Sequence, residues 1–375
     1  MKYSIEIGKI IEGALKHDQL KVINYTKQLI NKLENDEEIR AANKFKKMLI
    51  SKEERNLSAM GINGNMNIPI DSESRTLLAD IIYPDYNKID VILPKCNEED
   101  IKTFILNYKN ADKLNSIGIG VANTLLLYGP PGCGKTKCAF LIAKELNLPL
   151  VVARLDSLIS SYLGTTAKNI RSLFEFAQKT PCVLFLDEFD AIAKARDDSN
   201  ELGELKRVVN SLLQNVDSMS GDSLLLAATN HEKLLDTAVW RRFDYKIEIN
   251  LPDERGIKKM IDLFSNGSVE YSDKEKQDLA IILKGLSGAN IEEIIKKALR
   301  KSIINNKDFS KSSIYEEIFN FKKIIPHEEM DYRKTLKIKA KYLRKIDQKV
   351  FSFAVIADIL NVSKTMVSNL IKEED

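Results

Sequence analysis

Gly129-Pro130-Pro131-Gly132-Cys133-Gly134-Lys135-Thr136, read directly after the apolar run Thr124-Leu125-Leu126-Leu127-Tyr128, decides the fold. A glycine, four free positions and then Gly-Lys-Thr is the spacing at which successive backbone N–H groups curl around a di- or triphosphate. Lys135 then reaches the β- and γ-phosphates, and the Thr136 hydroxyl reaches Mg²⁺. The flanks agree with a phosphate-binding loop. Strand-type residues lead in, and Lys135–Leu146 leads out with apolar residues at Cys138, Leu141, Ile142 and Leu146, a helical stripe whose N-terminus faces the anion.

Outward from this loop, residues 75–250 alternate short apolar runs with helical patterns of ten or more residues. The runs Leu125–Tyr128, Leu150–Ala153, Val183–Asp187, Leu224–Ala228 and Lys246–Asn250 are expected to form a five-stranded parallel sheet covered by helices, an α/β fold. Ligands of such sheets bind beyond the carboxyl ends of the strands, which is where the loop falls. Residues 251–328 switch to helix only, in segments starting near Asp253, Asp273, Ser287 and Ser312, and read as a helical lid. Residues 1–55 carry three amphipathic stretches and read as an N-terminal helical bundle, while 56–74, with Gly61, Gly64 and several asparagines, has linker composition. Residues 329–375 hold a basic segment followed by a helix-turn-helix pattern.

Composition bounds the function classes. With 375 residues, 44% hydrophobic and 30% charged, the chain has room for two or three globular domains with real cores. No apolar run approaches the roughly eighteen residues of a membrane span, and Glu6, Glu12 and Asp18 interrupt the region where a leader would be apolar. The expectation is a cytoplasmic protein with no membrane partner. Cys96, Cys133, Cys138 and Cys182 lack paired metal spacing and only three histidines are present, which points to free thiols and no zinc site.

Chemistry concentrates at two further strand ends. Val183-Leu184-Phe185-Leu186 runs into Asp187-Glu188, and an apolar strand that ends in adjacent carboxylates suits a cation and a reacting water. Asp187 is assigned to the Mg²⁺ shell and Glu188 to orienting and polarising the water. Leu224–Ala228 runs into Thr229-Asn230; Asn230 can donate to a γ-phosphate oxygen and accept from water, or simply serve as a turn residue. Trp240-Arg241-Arg242-Phe243-Asp244 then supplies two planar guanidinium groups of the type that neutralise equatorial charge in phosphoryl transfer.

The order GPPGCGKT, LFLDE, AATN, WRRFD resembles the AAA family of hexameric ATPases over residues of about 120–300, lid included. The resemblance implies ATP as the nucleotide with Mg²⁺. It also implies a homo-oligomeric, hexameric ring in which Arg241 and Arg242 act in trans on a neighbour's nucleotide. Gly285-Leu286-Ser287-Gly288-Ala289-Asn290-Ile291 is similar to the family's turn over the adenine side, which assigns Ala289 to nucleotide binding. No arginine opens the following helix, so the superfamily's second sensor arginine is missing. Ser160-Ser161-Tyr162-Leu163-Gly164 is similar to the family's pore loop, where Tyr162 and Leu163 would grip an extended protein substrate. The alternative is that this pair anchors the loop on its own domain.

Phe353–Ile371 reads as helix, tight turn, helix, with Asn361 in the place of the usual turn glycine. Arg333, Lys334, Lys337, Lys339, Lys341, Arg344, Lys345 and Lys349 precede it and can contact phosphates. Two functions follow, the first implied by the resemblance and the second by the basic C-terminal residues. One is a ring ATPase that remodels or threads a protein; the other is a DNA-binding ATPase or regulator acting through its C-terminus. The whole layout also resembles bacterial AAA ATPases encoded beside subtilisin-like serine proteases in anti-phage or plasmid-maintenance loci, which implies a serine protease as partner.

Overall fold

Leucine-rich runs that a parallel sheet buries on both faces carry no polar alternation, and here they are covered completely: Leu125, Leu126, Leu127, Leu184, Phe185, Leu225 and Leu226 have no solvent exposure. The computed structural model describes residues 3–15, 19–56, 68–71, 74–83, 90–158, 163–193, 202–219, 223–268, 271–306, 309–325 and 331–373. Its strands are β1 (Ala79–Ile82), β2 (Thr124–Tyr128), β3 (Leu150–Ala153), β4 (Val183–Leu186), β5 (Leu224–Thr229) and β6 (Tyr245–Glu248). Side by side they run β1-β3-β4-β5-β2-β6. β3, β4, β5, β2 and β6 pair in parallel.

The expected five strands are all present, but the sheet has six. β1 adds itself antiparallel to β3, in register Ala79↔Ala153 to Ile82↔Leu150. Its run Ala79-Asp80-Ile81-Ile82 carries a charge and stands outside the strand-helix alternation that marks the other five. What holds it is long-range, including the Arg154 guanidinium, which donates to both carboxylate oxygens of Asp80 at 2.7 Å.

Two compact units divide the chain. The first comprises Met1–Val91, Cys96–Gly129 and Lys135–Ile249. One face of its sheet, carrying Leu126, Leu184, Leu186, Leu225 and Ala227, packs with Ile170, Leu173 and Phe174 of helix Leu163–Lys179 and with Val208, Val209 and Leu212 of helix Leu202–Asp217. These positions alternate along each strand, as a period of two requires. Helices Gln19–Asn35 and Ile39–Asn56 share a small core of Leu29, Ile30, Leu33 and Ala42, against which Ile7 and Ile10 of helix Ser4–Leu15 pack. Buried Glu6 pairs with Lys32 at 2.5 Å, and Ser4 donates to Asp112 of helix Ala111–Ser116. Of the stretch expected as a linker, 57–67 and 72–73 lie outside the described residues. Asp71, by contrast, is buried and accepts from Ser74 and Asn169.

The second unit comprises Ile92–Lys95, Pro130–Gly134 and Asn250–Asp375. Its first helices start at capping side chains. Asp253 accepts from the Gly256 N–H, Ser272 and Glu275 form a reciprocal capping box, and Ser287 accepts from the Asn290 N–H. The fourth helix, Lys311–Phe321, follows Ser310.

Helices Tyr332–Ile346, Phe353–Leu360 and Lys364–Lys372 then continue the same apolar core, placing Leu336, Leu343, Phe351, Ile356, Val367 and Leu370 in one cluster with Ile261, Leu283, Ile295 and Ile318. The last two helices meet at a bend of 107°, with Asn361 at φ 54°, ψ 47°. No single helix among the described residues is long and apolar enough to cross a membrane.

Asn361 is the residue on which this bend turns, because side chains other than Gly and Asn pay roughly 1–2 kcal/mol in the left-handed region. Equilibrium urea unfolding of Asn361→Val is expected to show a loss of about 1–2 kcal/mol, and Asn361→Gly a change of no more than about a few tenths. Equal losses in both variants would show that the turn conformation is not what Asn361 supplies.

Candidate nucleotide site

β2 delivers the chain to Gly129 at the carboxyl end of the sheet, and the backbone there leaves no room for a side chain. Gly129 sits at φ 130°, and a Cβ would lie 2.5 Å from the Ile249 carbonyl oxygen, whose own N–H donates to Tyr128 at 2.7 Å. Lys135, 7% exposed, opens the helix Lys135–Leu146 and donates from Nζ to the Gly129 carbonyl at 2.7 Å, which keeps the ammonium inside the curve of the loop. The Thr136 hydroxyl donates to Asp187 Oδ2 at 2.8 Å, so the two residues expected at Mg²⁺ do meet.

Past Asp187 the chain turns sharply. Glu188 holds φ 49°, a left-handed conformation that a non-glycine side chain adopts at a cost, and its N–H donates to Asp187 Oδ1 at 2.9 Å. The Phe189 N–H then reaches the Ala228 carbonyl of β5 at 2.8 Å. Buried Thr229 completes the tie by donating to Asp190 Oδ1 at 2.9 Å while accepting from the His231 N–H at 2.9 Å. Exposed Glu188 and half-buried Asn230 are thus each held on both sides, at the ends of adjacent parallel strands. Sequence reasoning passed over Asp190 and Thr229. The signal was visible in a third carboxylate in LDEFD and in the hydroxyl before Asn230, but only the pairing of β4 with β5 joins them.

Within the second unit, Pro130 and Pro131 are exposed and Cys133 is buried. Gly132 lies at φ 75°, and its carbonyl accepts from the Ala289 N–H at 3.0 Å. A Cβ on Gly132 would come within 2.8 Å of both Ala289 Cβ and Ser287 Oγ. Ala289 therefore packs on the phosphate loop itself. Gly134, at φ 98°, has open space around it.

The remaining expected residues are placed as follows. Arg241 and Arg242 are both exposed; Arg242 Nε pairs with Asp217 at 2.7 Å, and among the described residues Arg241 has no ion-pair partner. Tyr162 lies outside the described residues. Leu163 is the first residue of its helix, and its side chain is likewise not described. Burial pushes the thiols of Cys138 and Cys182 up to about 12, so neither is a nucleophile near neutral pH.

The residues fit a magnesium nucleotide. The Lys135 ammonium is held at the Gly129 carbonyl, and a hydroxyl and a carboxylate meet beside the loop. Among the described residues no cluster of three His, Cys, Asp or Glu side chains is poised to hold a metal alone. Sheet, loop and strand-end carboxylates together define a P-loop nucleotide site.

Comparison with known proteins agrees. Residues 125–251 match the model of the ATPase family associated with various cellular activities (AAA). An AAA family ATPase of Sinorhizobium fredii, y4kL, is 44% identical over 240 residues, covering 64% of this chain and 71% of the relative. A proteasome-activating nucleotidase of Methanococcus maripaludis is 33% identical over 226 residues, 58% of this chain and 55% of that protein. A chloroplastic ATP-dependent zinc metalloprotease FTSH of Nicotiana tabacum is 31% identical over 233 residues, 60% of this chain but 31% of the protease. The chain thus spans about half of the nucleotidase and under a third of the protease. The chain belongs to the AAA family of ATPases, and it hydrolyses ATP with Mg²⁺.

The glycine geometry ranks two substitutions. Gly129→Ala combines a positive φ with a collision against a strand-end carbonyl, whereas Gly134→Ala meets strain alone. Thermal melts are expected to show a larger drop in Tm for Gly129→Ala than for Gly134→Ala. The reverse order would contradict the close approach of Ile249.

Proposed function

We propose that this chain is a ring-forming AAA ATPase, working as a hexamer in the cytoplasm, that remodels or threads a protein substrate. What supports the proposal is that Lys135 and Thr136, Asp187 and Glu188, and Asn230 follow the carboxyl ends of three neighbouring parallel strands, while two arginines stay on the surface. In an assembled ring such arginines complete a neighbour's site, and a finger of this type raises turnover by about 10³–10⁵. Lys135 and the N–H groups of Gly129–Thr136 bind the phosphates, and Ala289 lies against the loop from the lid side. Thr136 and Asp187 would hold Mg²⁺, which would supply positive charge to the phosphates. Glu188 orients the water and takes its proton, while Asn230 fixes the γ-phosphate side.

Protein as the substrate is supported by likeness to a proteasome-activating nucleotidase and a zinc metalloprotease, with Tyr162 and Leu163 as the gripping pair. The layout's likeness to ATPases encoded beside subtilisin-like proteases supports delivery to such a partner in phage defence. A second function, DNA binding through the C-terminal helix-turn-helix, is favoured by one observation: Ser363, Lys364, Thr365, Asn369 and Lys372 of the last helix and its cap are exposed. Against it, three of the upstream basic residues are occupied. Arg333 pairs with Glu373, and Lys339, 6% exposed, holds both oxygens of Glu316 at 2.8 and 2.6 Å. Arg344 donates to the carbonyls of Gln348 and Phe351 and lies over the Phe353 ring. ATPase stimulation by an unfolded protein is expected and by duplex DNA is not; the opposite result would select the DNA function.

Two variants separate binding from turnover. Glu188→Gln is expected to keep ATP affinity and lose turnover by about 10²–10⁴-fold, because the amide keeps the shape without the base. Lys135→Ala should lose affinity itself; equal loss of affinity in both would remove the role given to Glu188. At the pore, Tyr162→Ala is expected to leave basal hydrolysis within about a few fold and to abolish substrate processing, since an aromatic contact surface is lost. A lowered Tm with processing reduced only in proportion to the folded fraction would instead make Tyr162 an anchor of its own domain.

A further inference from the structure

Arg241 and Arg242 stand between two aromatic residues, and each of those packs edge-on against a neighbour of the nucleotide site. Trp240 meets Tyr128 with ring centroids 5.1 Å apart and planes at 65°. Tyr128 is the last residue of β2 and is bonded directly to Gly129. Phe243 meets Phe189 at 5.8 Å and 85°, and Phe189 is the residue after Glu188. Edge-to-face geometry is the arrangement that ring quadrupoles favour, so both contacts are directional as well as apolar. Phe189 and Phe243 are 1% and 2% exposed, and packed interiors of this kind pass displacement on to their neighbours.

The segment has little freedom to absorb such a displacement. The short helix Thr237–Trp240 is capped by Asp236, which accepts from the Ala238 N–H, and the N–H groups of Arg241 and Arg242 donate back to Thr237 and Val239. After Phe243, Asp244 accepts from both the N–H and the hydroxyl of Thr124, at the start of β2. The arginine backbone is therefore fixed at both ends to the strand that carries the phosphate loop.

We propose that Trp240 and Phe243 are positioning residues that set the arginine pair through Tyr128 and Phe189, so that the arginines a subunit offers depend on its own phosphate loop and Glu188 turn. The proposal rests on the arginines acting in trans. It adds that what is presented to the neighbour is set by packing against the presenting subunit's own site.

The test uses full-length chains mixed in rings. Trp240→Leu alone is expected to keep ATP binding and to lose turnover at least tenfold, with Trp240→Phe restoring most of it. Mixed with Glu188→Gln, Trp240→Leu should regain turnover at least tenfold above either alone. Its own site is sound, and the Glu188→Gln neighbour supplies well-placed arginines. Tyr128→Leu should behave alike, and Tyr128→Leu/Trp240→Leu should be no worse than the weaker single variant, since all three remove one contact. Phe243→Leu with Phe189→Leu repeats the design at the second contact should Trp240→Leu fold poorly.

The control is Arg241→Ala/Arg242→Ala mixed with Glu188→Gln. Recovery there without recovery for Trp240→Leu would show that Trp240 serves only its own subunit's site and overturn the positioning role. No recovery in the control would overturn trans action and the proposal with it. Full turnover in Trp240→Leu and Phe243→Leu, with the arginine variant inactive, would also overturn it.

Discussion

The phosphate loop depends on close approaches to glycine positions where no side chain fits. Three glycines of the phosphate loop, Gly129, Gly132 and Gly134, hold positive φ, and two of them face neighbours closer than any Cβ allows. Gly129 is set by the Ile249 carbonyl just past β6, Gly132 by the serine and alanine at the start of helix Gly288–Ile304. A loop whose N–H groups must all point inward cannot also make the hydrogen bonds of helix or sheet, so its shape has to be imposed from outside. The order of the sheet does part of this, because β2 lies between β5 and β6 and so receives constraints from both sides.

The same reasoning explains why a carboxylate occupies a strained position. Glu188 lies in the left-handed region, where an L side chain sits only if its surroundings over-determine it. Those surroundings are visible: Asp187 bound to Thr136 on one side, Phe189 and Asp190 bound to β5 on the other. Strain of this kind at a strand end fixes a side chain that rotamer preference alone would leave mobile. Asn230 receives equivalent treatment through Thr229 and His231.

The C-terminal helices show how a packed fold occupies charge. Of eight basic residues between 333 and 349, Arg333, Lys339 and Arg344 close the helices on one another and on helix Lys311–Phe321. Lysine and arginine stems cover apolar surface while their heads find carboxylates or carbonyls, and only the packed structure shows which heads remain outside. Because these helices share one core with those of residues 254–321, they belong to the unit that also contains Pro130–Gly134.

What the sequence determined by itself is whatever is encoded in local spacing. The phosphate loop, five of the strands, the lid helix starts at Asp253, Ser272 and Ser287, and the asparagine at the last turn are all set by propensity and capping within a few residues. Tertiary structure alone decided β1, whose four residues gain their register from β3, and the Asp190–Thr229 tie, which joins positions 39 residues apart in sequence. It also decided that the residues flanking Arg241 and Arg242 touch those flanking Gly129 and Glu188. The physical reason is the same in each case: an isolated pair contact between distant positions leaves no periodicity to read, because its partner is supplied by how strands are ordered in the sheet rather than by their order in the chain.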